Sequence, residues 1–364
     1  MCDKRPSFRG GCGTFDAMNL EFSGYNRKVE LHGGKGIMSS SPFPIGGYFE
    51  LDLPSRGSHF HGRAYRFHSA RQALECLLIA RRYKAIFIPR YICDSVVETI
   101  HKVGIKTEYY SLDDSLEPRE LPSRIPVQTA LLLVNYFGLK SRHVNQLSRQ
   151  YSRVIVDNSQ AFFSLQINSA DTIYSPRKFL GVSDGWYLIS DIKCKMDYPQ
   201  AISADRIGAM AKRLESGPEV GYPDYEVAEK ALQHAPIQRM SPLTERLLSK
   251  INYNRAQRKR YVNFRYLANA FKGMNRFAWT NRDAAEGPLC YPLWIDGGKT
   301  IKQSLFAERI YVPTYWTEVN KRVQADSVEH RFVEDLLCLP VDQRYGVADM
   351  RRIMSVITRA MGSV

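Results

Sequence analysis

Asp157 follows the β-branched run Val154-Ile155-Val156 directly, and Lys178 stands just beyond a second short apolar run, Thr172 to Tyr174, with Ser175 three residues before it. An acid and an amine at the ends of neighbouring strands occupy the edge where open α/β sheets place their ligands. Together they permit the chemistry of pyridoxal phosphate. A lysine amine can link covalently to that cofactor, a carboxylate can keep its pyridine nitrogen protonated so that the ring accepts electrons, and hydroxyl and backbone donors can hold its phosphate. Lysine suits the task because its pKa, about 10.4 when free, falls readily in a desolvated site. Strand-end Asp and Lys residues are also common where nothing binds, so these two alone leave a structural role open.

Several elements must position this pair. A third strand, Trp186 to Ser190, follows turns at Gly181 and Gly185 and is expected to return antiparallel beside the second. Upstream, the order AIFIP (strand), SVVETIHKV (helix), TEYYSL and ALLLVNY (strands), RHVNQLSRQY (helix) and VIVD (strand) predicts a mostly parallel, doubly wound sheet. Tyr91, Ile92 and Cys93 follow the first of these strand ends. Ser69 precedes ARQALECLLIARRY, in which Ala73, Leu74, Leu77 and Leu78 mark one face of a helix. Unpaired amides and the macrodipole at a helix start favour an anion, so Ser69, Ala70 and Arg71 can offer a hydroxyl, backbone donors and a guanidinium; Ser69 can equally be a plain N-cap.

Past Ser190 a polar stretch to Pro236 reads as a helical excursion. Gln238-Arg239-Met240-Ser241 then precedes a long helical run through Ala270, with Leu243, Leu247, Leu248 and Ile251 on its apolar side. Arg255, Arg258, Lys259 and Arg260 give that run a charged, solvated face. From Gly287 the pattern PLCYPLWI, a helix near 301–307, strand RIYVPTYW, then HRFVEDLLCLPV and helix VADMRRIMSVITRAM predict a smaller α+β domain closing over one edge of the large one.

The colinear order of VNYFG (134–138), VDNSQ (156–160), SPRKFLGVSDG (175–185) and a late LPVD (339–342) resembles the DegT/StrS group of sugar aminotransferases, over about Gly46 to Met361. The resemblance implies an α/β fold of the fold-type-I pyridoxal-phosphate transferases, in the aspartate aminotransferase superfamily: a mostly parallel mixed sheet sandwiched by helices, plus a smaller C-terminal α+β domain. It implies that Lys178 bears the cofactor and moves the proton, that Asp157 binds the ring nitrogen, and that Gln160 sits near the ring hydroxyl. Ser175, Ser69 and Arg177 are expected at the phosphate. The family covers the ring with an aromatic residue; alignment puts Cys93 there, and Tyr91 is the alternative. Asn135 and Tyr136 would line the sugar side, or else pack structurally. Trp186 replaces a glycine and either narrows the site or packs on the sheet. Family members that became dehydratases replace the lysine with histidine, so Lys178 implies transamination.

The implied reaction takes an amino group from a small-molecule donor, glutamate, to a nucleotide-linked keto sugar in surface-glycan or secondary-metabolite biosynthesis. A pyridoxal-phosphate enzyme on another amino or keto compound, and a non-catalytic binding module of the same fold, are the alternatives. The family also implies a homodimer with each site at a twofold interface; its asparagine and tyrosine before the RMS triplet are replaced here by Ile237 and Gln238.

Composition bounds these readings. A chain of 364 residues, 44% hydrophobic and 12% aromatic, suffices for a large and a small domain, and its formal charge of +14 suits an acidic partner such as a phosphorylated small molecule. No nucleic-acid motif promotes the alternative of nucleic-acid binding. Seven scattered cysteines without a C-x-x-C pair predict reduced thiols in a cytoplasmic setting. His59, His61 and His68 read as loop or surface histidines, since no second cluster has metal-ligand spacing. No segment has the apolar length of a membrane span. Residues 1–41, rich in Gly, Ser and charge, read as a flexible arm dispensable for folding, with Met38 as an alternative start; the large domain is then expected over 42–240 and the connecting helix with the small domain over 241–364.

Overall fold

Seven strands make one mixed sheet. In chain order they are β1 (Tyr65–Phe67), β2 (Ala85–Pro89), β3 (Lys106–Tyr110), β4 (Thr129–Val134), β5 (Val154–Asn158), β6 (Ala170–Tyr174) and β7 (Trp186–Ile189), arranged in space as β1-β7-β6-β5-β4-β2-β3. Pairings from β3 through β6 are parallel, and β7 runs antiparallel to both β6 and β1. Every residue of β4 and β5 is buried, as expected of central strands covered on both faces. The structure, a computed structural model, describes residues 49–53, 57–194, 196–232 and 235–362. The expectation for residues 1–41 lies outside the described residues.

Helices α1 (Ala70–Arg81), α2 (Asp94–Lys102) and α3 (Ser141–Gln150) fill the connections. α1 buries Ala73, Leu74, Leu77 and Leu78, the face its periodicity predicts, and stops where Arg82 turns left-handed at φ 55°. The parallel strands β2, β5 and β6 therefore deliver their carboxyl ends to one edge, and the chain leaving them carries Cys93, Asp157 and the Ser175-to-Lys178 segment to that edge.

The excursion after β7 is a hairpin of α4 (Gly208–Ser216) and α5 (Pro218–Ala231). The expected single helix from Ser241 to Ala270 is two helices, α6 (Pro242–Leu248) and α7 (Tyr253–Ala270). Local capping wins over the apolar period: Ser241 Oγ accepts from Thr244 N–H at 3.2 Å, and Asn252 Oδ1 accepts from Arg255 N–H at 3.0 Å to start a second helix. Arg260 does not belong to the solvated face either. It is 1% exposed, while Arg255 and Arg258 are exposed.

A second sheet pairs β8 (Cys290–Trp294) with β9 (Leu336–Pro340) antiparallel, with α8 (Gly298–Ala307), α9 (Val328–Asp335) and α10 (Val347–Gly362) around it. RIYVPTYW is not a strand. Pro313 has no N–H to give a ladder, and Arg309 and Trp316 both adopt positive φ. The described residues from 52 to 362 form one compact unit.

His61 and His68 are buried rather than on the surface. His61 Nε2 lies 2.7 Å from the Phe162 carbonyl, His59 Nδ1 lies 2.6 Å from Tyr187 Oη, and His68 Nδ1 lies 3.0 Å from Asp184 Oδ2. Among the described residues, no group of three or more His, Cys, Asp or Glu could hold a metal ion, and no helix is long and apolar enough to cross a membrane. The five described cysteines are free.

Candidate active site

A cavity of about 700 Å³ opens at the carboxyl edge of the large sheet. Ser69, Ala70 and Arg71 line it from the start of α1, Cys93 from the start of α2, Asp157 and Ser159 from the end of β5, and Ser175, Arg177 and Lys178 from the loop after β6. Trp186 closes part of the wall from the first position of β7.

Asp157 is 5% exposed, and Oδ1 accepts from Ser159 N–H at 2.8 Å. No cationic side chain of the described residues pairs with it. A buried carboxylate without a cation is costly, and a protonated ring nitrogen is a partner that would offset the cost. Lys178, exposed to the cavity, places Nζ 6.0 Å from the centre of the Tyr315 ring. Cys93 is close enough to feel both groups: burial raises its thiol pKa, the Lys178 charge opposes this and the Asp157 charge adds to it.

Ser69 ends the expected ambiguity about capping in an informative way. Its backbone is extended as an N-cap requires, yet its hydroxyl makes no capping hydrogen bond, and Oγ is buried without a partner. Ser175 Oγ is likewise buried and unpartnered. Two orphaned hydroxyls beside the free amides of a helix start suit a phosphate group, which accepts from all of them.

The Lys178 loop is held by its neighbours. Gly185 turns the chain into β7 at φ 113°, a conformation that favours glycine; a Cβ there would also lie 3.1 Å from Thr244 Cγ2 and 3.2 Å from Met240 Cε. Arg260 donates from Nη2 to the Phe179 carbonyl at 3.1 Å and from Nη1 to the Pro288 and Leu289 carbonyls, while Nε donates to Gln343 Oε1 at 2.9 Å. Burial lowers the Arg260 pKa to about 10, against the opposing pull of Asp342.

Four expected residues do not line the cavity. Tyr91 is fully buried against Trp316, Phe332 and Tyr136, and its carbonyl accepts from Tyr136 Oη at 2.7 Å. Aromatic packing against the C-terminal part of the chain fixes it there, and Cys93 alone of the two reaches the cavity. Asn135 is absorbed by Ser141, Asn158 and Ser164, to which Nδ2 donates, and by Lys140 N–H. Tyr136 is spent on the Tyr91 carbonyl. Gln160 accepts from Phe137 N–H at 3.0 Å, and its Nε2 is buried without a partner.

Ser159, Ser183, Arg206, Arg213, Tyr315 and Arg344 also line the cavity, none of them singled out by sequence. Ser159 sits two residues after Asp157 and could have been read from that spacing. Ser183 falls inside the SPRKFLGVSDG segment, five residues after Lys178, while Arg206, Arg213, Tyr315 and Arg344 come from distant segments without a local signature.

No protein-family model matches the sequence, and no curated protein does either. Solved structures do match the fold. A DegT DnrJ EryC1 StrS aminotransferase from Brucella abortus is 16% identical, with 81% of this chain and 85% of that one covered at a TM-score of 0.54. PseC from Helicobacter pylori, an aminotransferase involved in the biosynthesis of pseudoaminic acid, is 13% identical, covering 83% and 87% at 0.58. NtdA from Bacillus subtilis, with bound cofactor PMP, is 13% identical, covering 83% and 74% at 0.56. The chain therefore has the mixed-sheet fold of these aminotransferases, the fold-type-I architecture that its sequence resemblance implies.

Proposed function

We propose that this chain is a pyridoxal-phosphate-dependent aminotransferase that takes an amino group from glutamate and delivers it to a keto sugar carried on a nucleotide. The observation carrying this reading is the pair of buried, unpartnered hydroxyls of Ser69 and Ser175 on the same cavity as Asp157 and Lys178. When bound, pyridoxal phosphate supplies an electron sink that stabilises negative charge at the substrate carbon.

The residues divide the remaining work. Ser69 Oγ, Ser175 Oγ and the first amides of α1 hold the phosphate. The Asp157 carboxylate keeps the ring nitrogen protonated, an electrostatic contribution fixed before reaction. Lys178 Nζ would hold the cofactor and is the amine placed to move a proton at the substrate carbon. Cys93 and Trp186, which line the cavity, bound the space for the ring.

Seven cationic side chains line the cavity against three carboxylates, which favours an anionic substrate such as a nucleotide sugar. A cytoplasmic homodimer sharing its sites across a twofold axis belongs to the same proposal. Purified protein incubated with the cofactor should show a visible absorption band that Lys178→Ala lacks, and should consume glutamate with a nucleotide-linked keto sugar. A wild type that gains no band with added cofactor would overturn the reading. Light scattering with cofactor occupancy tests the dimer, and a fully loaded, active monomer would sink it.

A further inference from the structure

We propose that Arg206, in the turn leading into α4, is the principal cation for the cofactor's phosphate monoester, so that one chain supplies the whole phosphate cradle. The inference rests on the reading that this cavity takes pyridoxal phosphate. Its starting point is charge pairing. Arg71 faces Glu98 at 3.7 Å, Arg177 pairs with Glu229, and Arg344 pairs with Asp342 at 2.7 Å. Arg260 is occupied by carbonyls and Gln343.

Arg206 is different. It pairs with no carboxylate among the described residues: Nη2 donates to the Ile202 carbonyl at 2.7 Å, and Nε, like that of Arg71 and Arg177, is buried without a partner. Arg213 has no carboxylate among the described residues either, but it is exposed to solvent, whereas Arg206 is half-buried. Burial is the largest influence on its pKa and lowers it; Asp184 pulls the other way, and the positive charge of Arg177 lowers it again. A cation partly withdrawn from water beside a second cation is an arrangement that a bound anion stabilises.

The location identifies the anion. Asp184, within electrostatic reach of Arg206, is bonded to His68, the residue before Ser69. Arg206 lines the same cavity as Ser69, at the start of α1, and Ser175, after β6, whose Oγ atoms are both unpartnered. The turn that carries it is pinned: Ser203 Oγ lies 2.6 Å from Ser241 Oγ, and Ser241 in turn donates to Asp184. Two hydroxyls, free amides and a fixed guanidinium match the several acceptor oxygens and double charge of a phosphate monoester.

The test measures binding to cofactor-free protein by three probes, pyridoxal phosphate, pyridoxal and inorganic phosphate, for wild type, Arg206→Gln and Arg206→Lys. Loss of a charge-assisted bond predicts that Arg206→Gln weakens pyridoxal phosphate roughly tenfold to hundredfold. Pyridoxal, which lacks the phosphate, should bind all variants alike, and Arg206→Lys should recover part of the loss. Inorganic phosphate should raise the melting temperature of the wild type but not of Arg206→Gln. Equal weakening of pyridoxal and pyridoxal phosphate, or no weakening of either, overturns the assignment. A wild type that binds phosphate through Arg206 but takes no pyridoxal phosphate overturns the cofactor reading and leaves an anion site of another use. Strong cofactor binding unaffected by Arg206→Gln overturns the inference alone.

Discussion

His68 Nδ1 lies 3.0 Å from Asp184 Oδ2, tying the residue before α1 to the loop that carries Lys178. The same carboxylate accepts from Ser241 N–H at 2.9 Å, from Ser241 Oγ at 2.8 Å and from the Thr244 hydroxyl. Three separate segments thus meet on one buried charge. Burial by itself would raise the Asp184 pKa, but hydrogen bonds from His68, Thr244 and Ser241 more than offset it and hold the group below 3.8. A depressed carboxylate contributes stability that is present above its unfolded pKa and lost as pH falls through the folded one. Asp184→Ala should cost about 3–5 kcal/mol in urea unfolding at pH 7. Asp184→Asn should cost less and flatten the acid limb below about pH 4. A neutral Asp184→Ala would show that the segments are held by other contacts.

The histidines give a second pH signature at milder acidity. Burial lowers the His61 pKa to about 4, against the opposing hydrogen bond to the Phe162 carbonyl, and burial with the Arg66 charge lowers His59 to about 4. Such a group stays neutral in the fold but charges freely when the chain unfolds. Stability is therefore full above about pH 6.5 and falls as pH drops toward 4. His61 should account for up to about 3 kcal/mol of that fall. His61→Gln, which keeps a donor for Phe162, should flatten the profile between those limits. Unfolding free energies that stay constant for the wild type from pH 7 to pH 4.5 would refute the assignment.

The sequence announced the parts of this site that lie on regular elements. Val154 to Asp157 and Thr172 to Tyr174 read as strands because β-branched and apolar runs bounded by turns have few other uses, and Asp157 and Lys178 follow at the sheet edge. Where prediction failed, a local or long-range interaction overrode periodicity. Asn252 broke a helix that its leucine spacing would have continued, and Pro313 with Trp316 denied a strand to RIYVPTYW. Tyr91 and Cys93 were indistinguishable in sequence because only packing against Trp316 and Phe332, more than two hundred residues away, decides which one turns inward. Arg206 gave no signal at all: its meaning depends on the absence of a carboxylate, which spacing along the chain does not reveal.

Arg260 and Gln343 both donate to the Phe179 carbonyl, at 3.1 and 2.8 Å, and so pin the residue that immediately follows Lys178. The guanidinium also lies 4.5 Å over the centre of the Phe179 ring. Its fixed planar fork meets four oxygens from α7, which a lysine ammonium, with three donors on a flexible stem, cannot do. Arg260→Lys should therefore behave more like a loss than a conservative change. Arg260→Met should lower stability by about 3 kcal/mol, since it leaves buried carbonyls without donors. It should also reduce the fraction of cofactor that borohydride traps on Lys178, while Gln343→Ala, which takes from the arginine only the acceptor for Nε and leaves its bonds to the Phe179, Pro288 and Leu289 carbonyls in place, should do so less. If Arg260→Met lowers stability yet leaves the trapped fraction at the wild-type value, the arginine braces the fold without positioning the lysine.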